Sequence, residues 1–126
     1  MPTALLVEDD PDVRSITRDM LEEAGFLVVE AADGDQGLAK LADPGHLDVL
    51  VTDCDMPGRV NGLGLLAEAA RLRPGLARVM VTGSMIDGSV GDVAVLPKPY
   101  RSHQVVASVH KAMGSCLRAT GPASVF

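Results

Sequence analysis

The segment Leu47–Gly58 reads Leu-Asp-Val-Leu-Val-Thr-Asp-Cys-Asp-Met-Pro-Gly, and its character changes at Asp53. The first part, Leu47–Thr52, is nearly continuous in apolar residues, which is typical of a parallel-sheet strand that is buried on both faces. The second part contains proline and glycine, which interrupt regular structure and indicate a loop. Asp53 is therefore predicted to lie where a buried central strand ends.

Two other fragments repeat this arrangement. The acidic cluster Glu8-Asp9-Asp10 follows the apolar run Ala4–Val7, and the pair Lys98-Pro99 follows Val93–Pro97. The carboxyl ends of the strands in an open parallel sheet share one edge, so distant residues can converge there on one site. Carboxylate oxygens suit Mg²⁺, which accepts one or two carboxylates and keeps its other positions for water and phosphate. The pattern therefore predicts a magnesium site that serves phosphoryl transfer.

Short apolar runs alternate with helical stretches along the whole chain, which predicts βα units and an α/β fold with a parallel sheet. Asp10-Pro11 is a helix start, with Asp10 as the N-cap and proline at the first helical position, and Gly25 ends that helix. The predicted strands are Ala4–Val7, Phe26–Val29, Leu47–Thr52, Val79–Val81 and Val93–Leu96.

The helical spacing of apolar residues predicts which side chains face the core. These are Val13, Ile16, Met20 and Leu21 in the first helix, Leu65, Leu66, Ala69 and Ala70 after the central strand, and Val105, Val106, Val109 and Met113 in the last helix. A shorter helix after Asp33-Gly34 carries Leu38 and Leu41. Residues 115–126 hold few core candidates, so we expect one domain over residues 1–114 and a flexible C-terminal tail over 115–126.

The composition argues against several classes of protein. The chain has 126 residues, enough for one domain, and a formal net charge of −6, which supplies no basic face for nucleic acid or for a DNA-binding output domain. No segment approaches the ~20 apolar residues of a membrane span, and the N-terminus lacks the pattern of a signal peptide. We therefore expect a cytoplasmic protein that binds neither nucleic acid nor membrane, with Cys54 and Cys116 reduced.

The chain resembles the receiver domain of a bacterial two-component response regulator over about residues 3 to 113. The resemblance rests on four motifs in order: the acidic pair, Asp53 with its trailing Met56-Pro57-Gly58, Thr82-Gly83, and Lys98-Pro99. It implies a flavodoxin-like, doubly wound (βα)5 fold with a five-stranded parallel sheet. The longer loop Met56–Gly62 is similar to those of receivers that stand alone or are attached to hybrid histidine kinases, and we expect the stand-alone, single-domain type.

The resemblance also assigns roles to the site residues. It implies that Asp53 accepts the phosphoryl group, that Asp9 binds Mg²⁺ directly and that Glu8 binds it through water. Asp53 and the backbone carbonyl of Asp55 are further metal ligands in this family. The Asp55 side chain either tunes the access of hydrolytic water or is a solvated loop acid, and both alternatives remain open.

The two remaining functional positions match Thr82 and Lys98. The resemblance implies that the Thr82 hydroxyl bonds a phosphoryl oxygen and that the Lys98 ammonium bonds Asp53 or its phosphate as a charge-assisted donor. It also implies a cis peptide between Lys98 and Pro99. Gly83 leaves room for the phosphate.

Besides the longer loop, two further features depart from the family pattern. Val95 stands where many receivers carry a switch aromatic, three residues before Lys98. The segment Ser84–Asp92 contains two glycines and no apolar periodicity, and each glycine inside a helix costs about 1 kcal/mol relative to alanine. We therefore predict that the fourth helix of the family, between the fourth and fifth strands, is shortened or missing.

The expected function is that of a phosphorelay receiver. It would accept a phosphoryl group on Asp53 from a histidine kinase or a histidine phosphotransfer protein and signal by contact with an unknown downstream protein. It would assist its own phosphorylation and dephosphorylation without being an enzyme. The alternative is a haloacid-dehalogenase-like phosphatase using Asp53-x-Asp55, although that family carries this motif on its first strand and needs acidic residues after its lysine. A flavodoxin-like FMN carrier is disfavoured because a phosphate loop and stacking aromatics are lacking.

Overall fold

Five apolar segments form the strands, and the helices between them begin where capping residues occur. The structure, a computed structural model, describes residues 1–43, 45–54, 56, 60–83 and 93–120, with only the backbone described for 115–120. In chain order the elements are β1 (Thr3–Val7), α1 (Pro11–Glu23), β2 (Leu27–Ala31), α2 (Gly34–Ala42), β3 (Val49–Asp53), α3 (Gly62–Leu72), β4 (Ala77–Thr82), β5 (Ala94–Pro97) and α4 (Ser102–Thr120).

The strands form one parallel sheet in the order β2-β1-β3-β4-β5. All five residues of β3 are buried, as a strand covered on both faces requires. The edge strands β2 and β5 are more exposed. The predicted α/β fold of the flavodoxin-like type is confirmed, and the predicted strand bounds differ from the observed ones by no more than a few residues.

Two apolar cores lie on opposite faces of the sheet. Because successive strand residues point to opposite sides, neighbours along one strand belong to different cores. Leu6 and Val51 pack with α1 and α4, whereas Leu5 and Leu50 pack with α2 and α3. Because helices cover both faces, the ends of the central strands are where charged side chains such as Asp53 can gather.

The predicted start and end of α1 are confirmed. The Asp10 side chain accepts hydrogen bonds from the backbone N–H groups of Asp12 and Val13, at 2.9 and 3.3 Å, and Pro11 is the first helical residue. At the other end Gly25 has φ +96°, a left-handed conformation that glycine adopts without strain. The helix is thus fixed directly behind the acidic cluster.

Two inward-facing predictions are wrong. Ile16 is 55% exposed, and the neighbouring Thr17, 1% exposed, is buried in its place. One residue corresponds to about 100° around a helix, so a face assigned by spacing alone can be off by one position. Ala70 is exposed as well, while Leu65, Leu66 and Ala69 are buried.

The last helix extends past the boundary that was predicted between the domain and its tail. Helix α4 continues to Thr120 and does not stop at residue 114. The segment 115–120, Ser-Cys-Leu-Arg-Ala-Thr, has neither glycine nor proline, so nothing in it interrupts a helix. The boundary placed at 115 thus falls inside α4, and the flexibility predicted for the tail stays a prediction.

Several expectations fall outside the described residues. They are the shortened or missing helix over 84–92, the position of Asp55, and residues 121–126 of the tail. Over the part of the chain that is described, no helix combines the length and apolar character needed to cross a membrane.

Candidate metal centre

The polar residues of the candidate site lie at one edge of the sheet because the strands are parallel. Glu8 directly follows β1, Asp53 is the last residue of β3, Thr82 is the last of β4, and Lys98 directly follows β5. Since β1, β3, β4 and β5 are consecutive in the sheet, all four residues meet at its carboxyl edge. The backbone N–H of Lys98 donates to the carbonyl of Thr82 at 2.8 Å, which joins the last two strand ends.

Three carboxylates converge at this edge. One ligand oxygen from each of Glu8, Asp9 and Asp53 lies within 4.8 Å of the others. Glu8 and Asp53 are only 3% and 6% exposed, whereas Asp9 is exposed. Two like charges ~4 Å apart repel by about 4 kcal/mol at an effective dielectric of 20, so the cluster favours a bound cation. Hard oxygen ligands with an open, solvent-facing side fit Mg²⁺.

The ammonium group of Lys98 contributes a positive charge to the cluster. Its Nζ lies 3.3 Å from Oε2 of Glu8 and 3.3 Å from Oδ2 of Asp53, so one ammonium contacts two carboxylates. The peptide between Lys98 and Pro99 is cis, as the resemblance implies. The ammonium offsets part of the negative charge and leaves the exposed Asp9 side of the cluster open.

Burial and charge shift the pKa values of this pair. Burial is the main cause that raises the pKa of Glu8 to about 7; the charge on Asp53 raises it further, while the backbone hydrogen bond from Asp10 and the charge on Lys98 lower it. For Lys98, partial burial lowers the pKa, but the charges of Glu8 and Asp53 together outweigh it and raise the pKa. A divalent cation favours ionised ligands, so binding it competes with the proton on Glu8.

Glu8 is held in place by both neighbouring elements. Its backbone N–H donates to the carbonyl of Ala31 at 3.1 Å, its carbonyl accepts from Nη1 of Arg14 at 2.8 Å, and its Oε1 accepts from the N–H of Asp10 at 3.2 Å. Arg14 was not identified from the sequence. A basic residue in the first turns of the helix behind an acidic cluster is the signal that could have suggested it.

Gly62 is needed for the close approach of α3 to Asp53. A Cβ at this position would lie 2.0 Å from the Asp53 carbonyl oxygen and 2.7 Å from the Cys54 Cα. The N–H of Gly62 also donates to the carbonyl of Cys54 at 3.2 Å. Because backbone atoms cannot move aside as a side chain can, only glycine at position 62 permits this close approach of α3 to the end of β3.

Two further residues near the site, Thr17 and Tyr100, were not identified from the sequence. The hydroxyls of Thr17 in α1 and Tyr100, two residues after Lys98, lie 2.5 Å apart. Burial raises the pKa of Tyr100. Both residues line a cavity of about 280 Å³ between α1 and the Lys98-Pro99-Tyr100 segment. Nothing in the local sequence links two residues that are 83 positions apart.

Comparison with known proteins gives the family. The sequence model named "Response regulator receiver domain" matches residues 4–110. The chain belongs to the response regulator receiver family. These domains are components of two-component systems and interact with histidine kinases or phosphotransfer proteins.

This receiver domain is 36% identical over 115 residues to the transcriptional regulatory protein CpxR of Escherichia coli K12. The match covers 86% of this chain and 48% of CpxR, so the domain spans about half the length of that relative. A receiver protein structure from Sinorhizobium medicae has a TM-score of 0.85 at 24% identity, covering 91% of this chain and 96% of that one. TrrA of Thermotoga maritima, crystallised with Mg²⁺ and BeF, has a TM-score of 0.79 at 24% identity, covering 89% and 99%.

The receiver fold brings together five of the predicted site residues. Glu8, Asp9, Asp53 and Lys98 form one cluster, and Thr82 ends the strand next to β3. Asp55, predicted to offer its backbone carbonyl to the metal, lies outside the described residues. The roles given to these residues in phosphoryl transfer stay predictions, whereas their convergence is a feature of the structure.

Proposed function

We propose that this receiver domain accepts a phosphoryl group on Asp53 from a histidine kinase or a histidine phosphotransfer protein, in a reaction that requires Mg²⁺. The observation that carries the proposal is the position of Asp53. Its carboxylate is nearly buried, lies beside two further carboxylates within 4.8 Å, and contacts the Lys98 ammonium at 3.3 Å. This charge pattern suits an anionic nucleophile that must approach an anionic phosphoryl group.

Each residue of the site has a separate role in the transfer. A carboxylate oxygen of Asp53 forms a bond to phosphorus while the bond from phosphorus to the donor's histidine nitrogen breaks, and the imidazole keeps that electron pair. Lys98 donates to a phosphoryl oxygen and offsets its charge, and the Thr82 hydroxyl donates to another. When bound by Glu8, Asp9 and Asp53, Mg²⁺ would neutralise charge that builds up on the phosphoryl oxygens.

The phosphorylated domain passes the signal on through protein contact. It assists its own phosphorylation and dephosphorylation without turning over a separate substrate, and it then binds a downstream protein. The net charge of −6 supports a protein partner over nucleic acid. A haloacid-dehalogenase-like phosphatase is less well supported, because Asp53 ends the third strand of the chain and not the first.

Acetyl phosphate with Mg²⁺ provides the direct test. Intact mass should increase by one phosphoryl group, and Asp53→Asn should abolish the increase while the thermal unfolding midpoint in EDTA stays close to that of the parent. EDTA should prevent the increase in the parent protein. Phosphate found on Asp55, or steady turnover of a small phosphoester, would contradict the assignment.

A further inference from the structure

We propose that the hydrogen bond between Thr17 and Tyr100 positions the Lys98 ammonium against Asp53, which makes Thr17 and Tyr100 positioning residues for phosphoryl acceptance. The inference rests on the proposed function of Asp53. It assigns a role to two side chains that are not among the predicted site residues.

The bond joins two parts of the site that the sheet keeps apart. Thr17 belongs to α1, which follows the acidic cluster behind β1, and Tyr100 belongs to the segment after β5. Strands β1 and β5 are separated in the sheet by β3 and β4. The contact between the two hydroxyls, at 2.5 Å, is therefore a direct tie between the Glu8 side and the Lys98 side of the carboxyl edge.

The segment that carries Lys98 is attached at two points. On one side the backbone N–H of Lys98 donates to the carbonyl of Thr82 at 2.8 Å. On the other side Tyr100 bonds Thr17. Between these attachments the Lys98 side chain reaches both Glu8 and Asp53 at 3.3 Å. Loss of the second attachment would leave this segment less constrained on its α1 side.

Tyr100 packs against the core that α1 and α4 share, but not on all sides. A cavity of about 280 Å³ borders its ring and is also lined by Val13, Met20 and Pro99. Atoms next to a void lack partners on that side and are less confined than those in a filled core. The directional hydrogen bond to a residue that is 1% exposed therefore adds to this packing in setting the position of the ring.

Removing either hydroxyl should affect the site more than the fold. In Tyr100→Phe the Thr17 hydroxyl can turn to a carbonyl in the preceding turn of α1, as threonine does in helices. Thr17→Val keeps the shape of the side chain. In the presence of Mg²⁺ each single variant should accept phosphate from acetyl phosphate about threefold to tenfold more slowly than the parent, and the double variant no more slowly than either.

A test in the Lys98→Ala background separates positioning from a general structural effect. In that background Tyr100→Phe should not lower the phosphorylation rate further, because Tyr100 acts only by positioning Lys98. Since phosphorylation in that background is slow, the affinity for beryllofluoride with Mg²⁺, measured by ¹⁹F NMR, is the second readout. Tyr100→Phe should weaken beryllofluoride binding when Lys98 is present and leave it unchanged when Lys98 is alanine.

Val109→Ala is the matched control. Val109 is fully buried in α4 and packs in the same core as α1, so its truncation should lower the unfolding midpoint and leave the phosphorylation rate at the parental value. Tyr100→Phe reacting at the parental rate, or slowing the reaction equally with and without Lys98, would overturn the positioning role alone. A parent protein that never gains phosphate would overturn the proposed function as well.

Discussion

Glu8 is the residue whose chemistry the fold changes most clearly. Burial and the nearby Asp53 raise its pKa from 4.5 to about 7, so without metal the side chain keeps its proton to a higher pH than a surface glutamate does. Water cannot solvate Glu8 as it solvates a surface acid, because the residue is only 3% exposed. Proton and metal therefore compete for the same buried carboxylate.

This competition predicts pH-dependent metal binding. Between pH 6 and 8 the affinity for Mg²⁺ should rise by roughly tenfold, as expected when one proton with a pKa near 7 must leave on binding. Titration calorimetry at several pH values, in buffers of different ionisation enthalpy, would measure both the affinity and the proton release. Glu8→Gln should bind more weakly and lose this dependence, and a pH-independent affinity in the parent would contradict the competition.

The contribution of Glu8 to the stability of the metal-free protein should fall as the pH rises, whereas the affinity for Mg²⁺ rises. Because the pKa of Glu8 is higher in the folded state than its ordinary value of 4.5, the folded protein binds more protons than the unfolded chain between about pH 4.5 and 7. The contribution of Glu8 is fully present below pH 4.5 and is lost as the pH rises through 7. Urea unfolding in EDTA, compared with Glu8→Gln, would isolate this contribution as the difference between the two pH profiles.

At the scale of the elements, the local sequence was a good guide to helix ends and a poorer one to helix faces. Asp10-Pro11 and Gly25 mark the ends of α1 by residue type, and no distant contact is needed to identify them. The choice between Ile16 and Thr17 depends on Tyr100, which lies far away in sequence and becomes a neighbour only when the sheet has formed. Apolar character favours burial of Ile16, but the hydrogen bond to Tyr100 favours burial of Thr17.

The junction of α3 with β3 provides an element-scale prediction. Gly62→Ala would place a Cβ 2.0 Å from the Asp53 carbonyl oxygen, so α3 must shift. We expect a loss of about 1–3 kcal/mol of unfolding free energy, typical of overpacking, together with weaker Mg²⁺ binding because Asp53 moves. Denaturant unfolding and calorimetry measure the two effects.

Gly64→Ala is the control for this substitution. It lies two residues further along the same helix, and its Cβ would meet nothing closer than the Asn61 Oδ1 at 3.5 Å. Here alanine should be neutral or stabilise the protein by up to about 1 kcal/mol, since it is the better helix former. Equal destabilisation by both substitutions would show that the close approach to Asp53 is not the cause.

At the scale of the whole molecule, the site was predictable because the topology is parallel. Acidic and basic residues at the ends of separate apolar runs converge whenever those runs become parallel neighbours, and the order β1-β3-β4-β5 makes them so. The raised pKa of Glu8 and the roles of Arg14 and Gly62 were not predictable in this way. They depend on burial and on backbone distances that exist only in the complete fold.

A bound divalent cation should stabilise the molecule as a whole. Glu8, Asp9 and Asp53 repel one another in the folded state, and a ligand present at 100 times its dissociation constant adds about 2.7 kcal/mol of stability. Thermal unfolding in excess Mg²⁺ should therefore have a higher midpoint than in EDTA. Asp9→Asn, which changes an exposed ligand of the cluster, should reduce the difference, and identical midpoints for the parent in the two buffers would argue against a shared acidic pocket.

Tyr100 is the main source of intrinsic fluorescence in this domain. The chain contains one tyrosine and no tryptophan, so near-ultraviolet emission from the unlabelled protein arises almost entirely from this ring. The ring lies beside the segment that carries Lys98, and its hydroxyl senses the charges of Glu8, Lys98 and Asp53. We therefore expect changes of charge at the strand ends to alter the fluorescence of this one side chain, which can be followed in real time without a dye or an engineered chromophore.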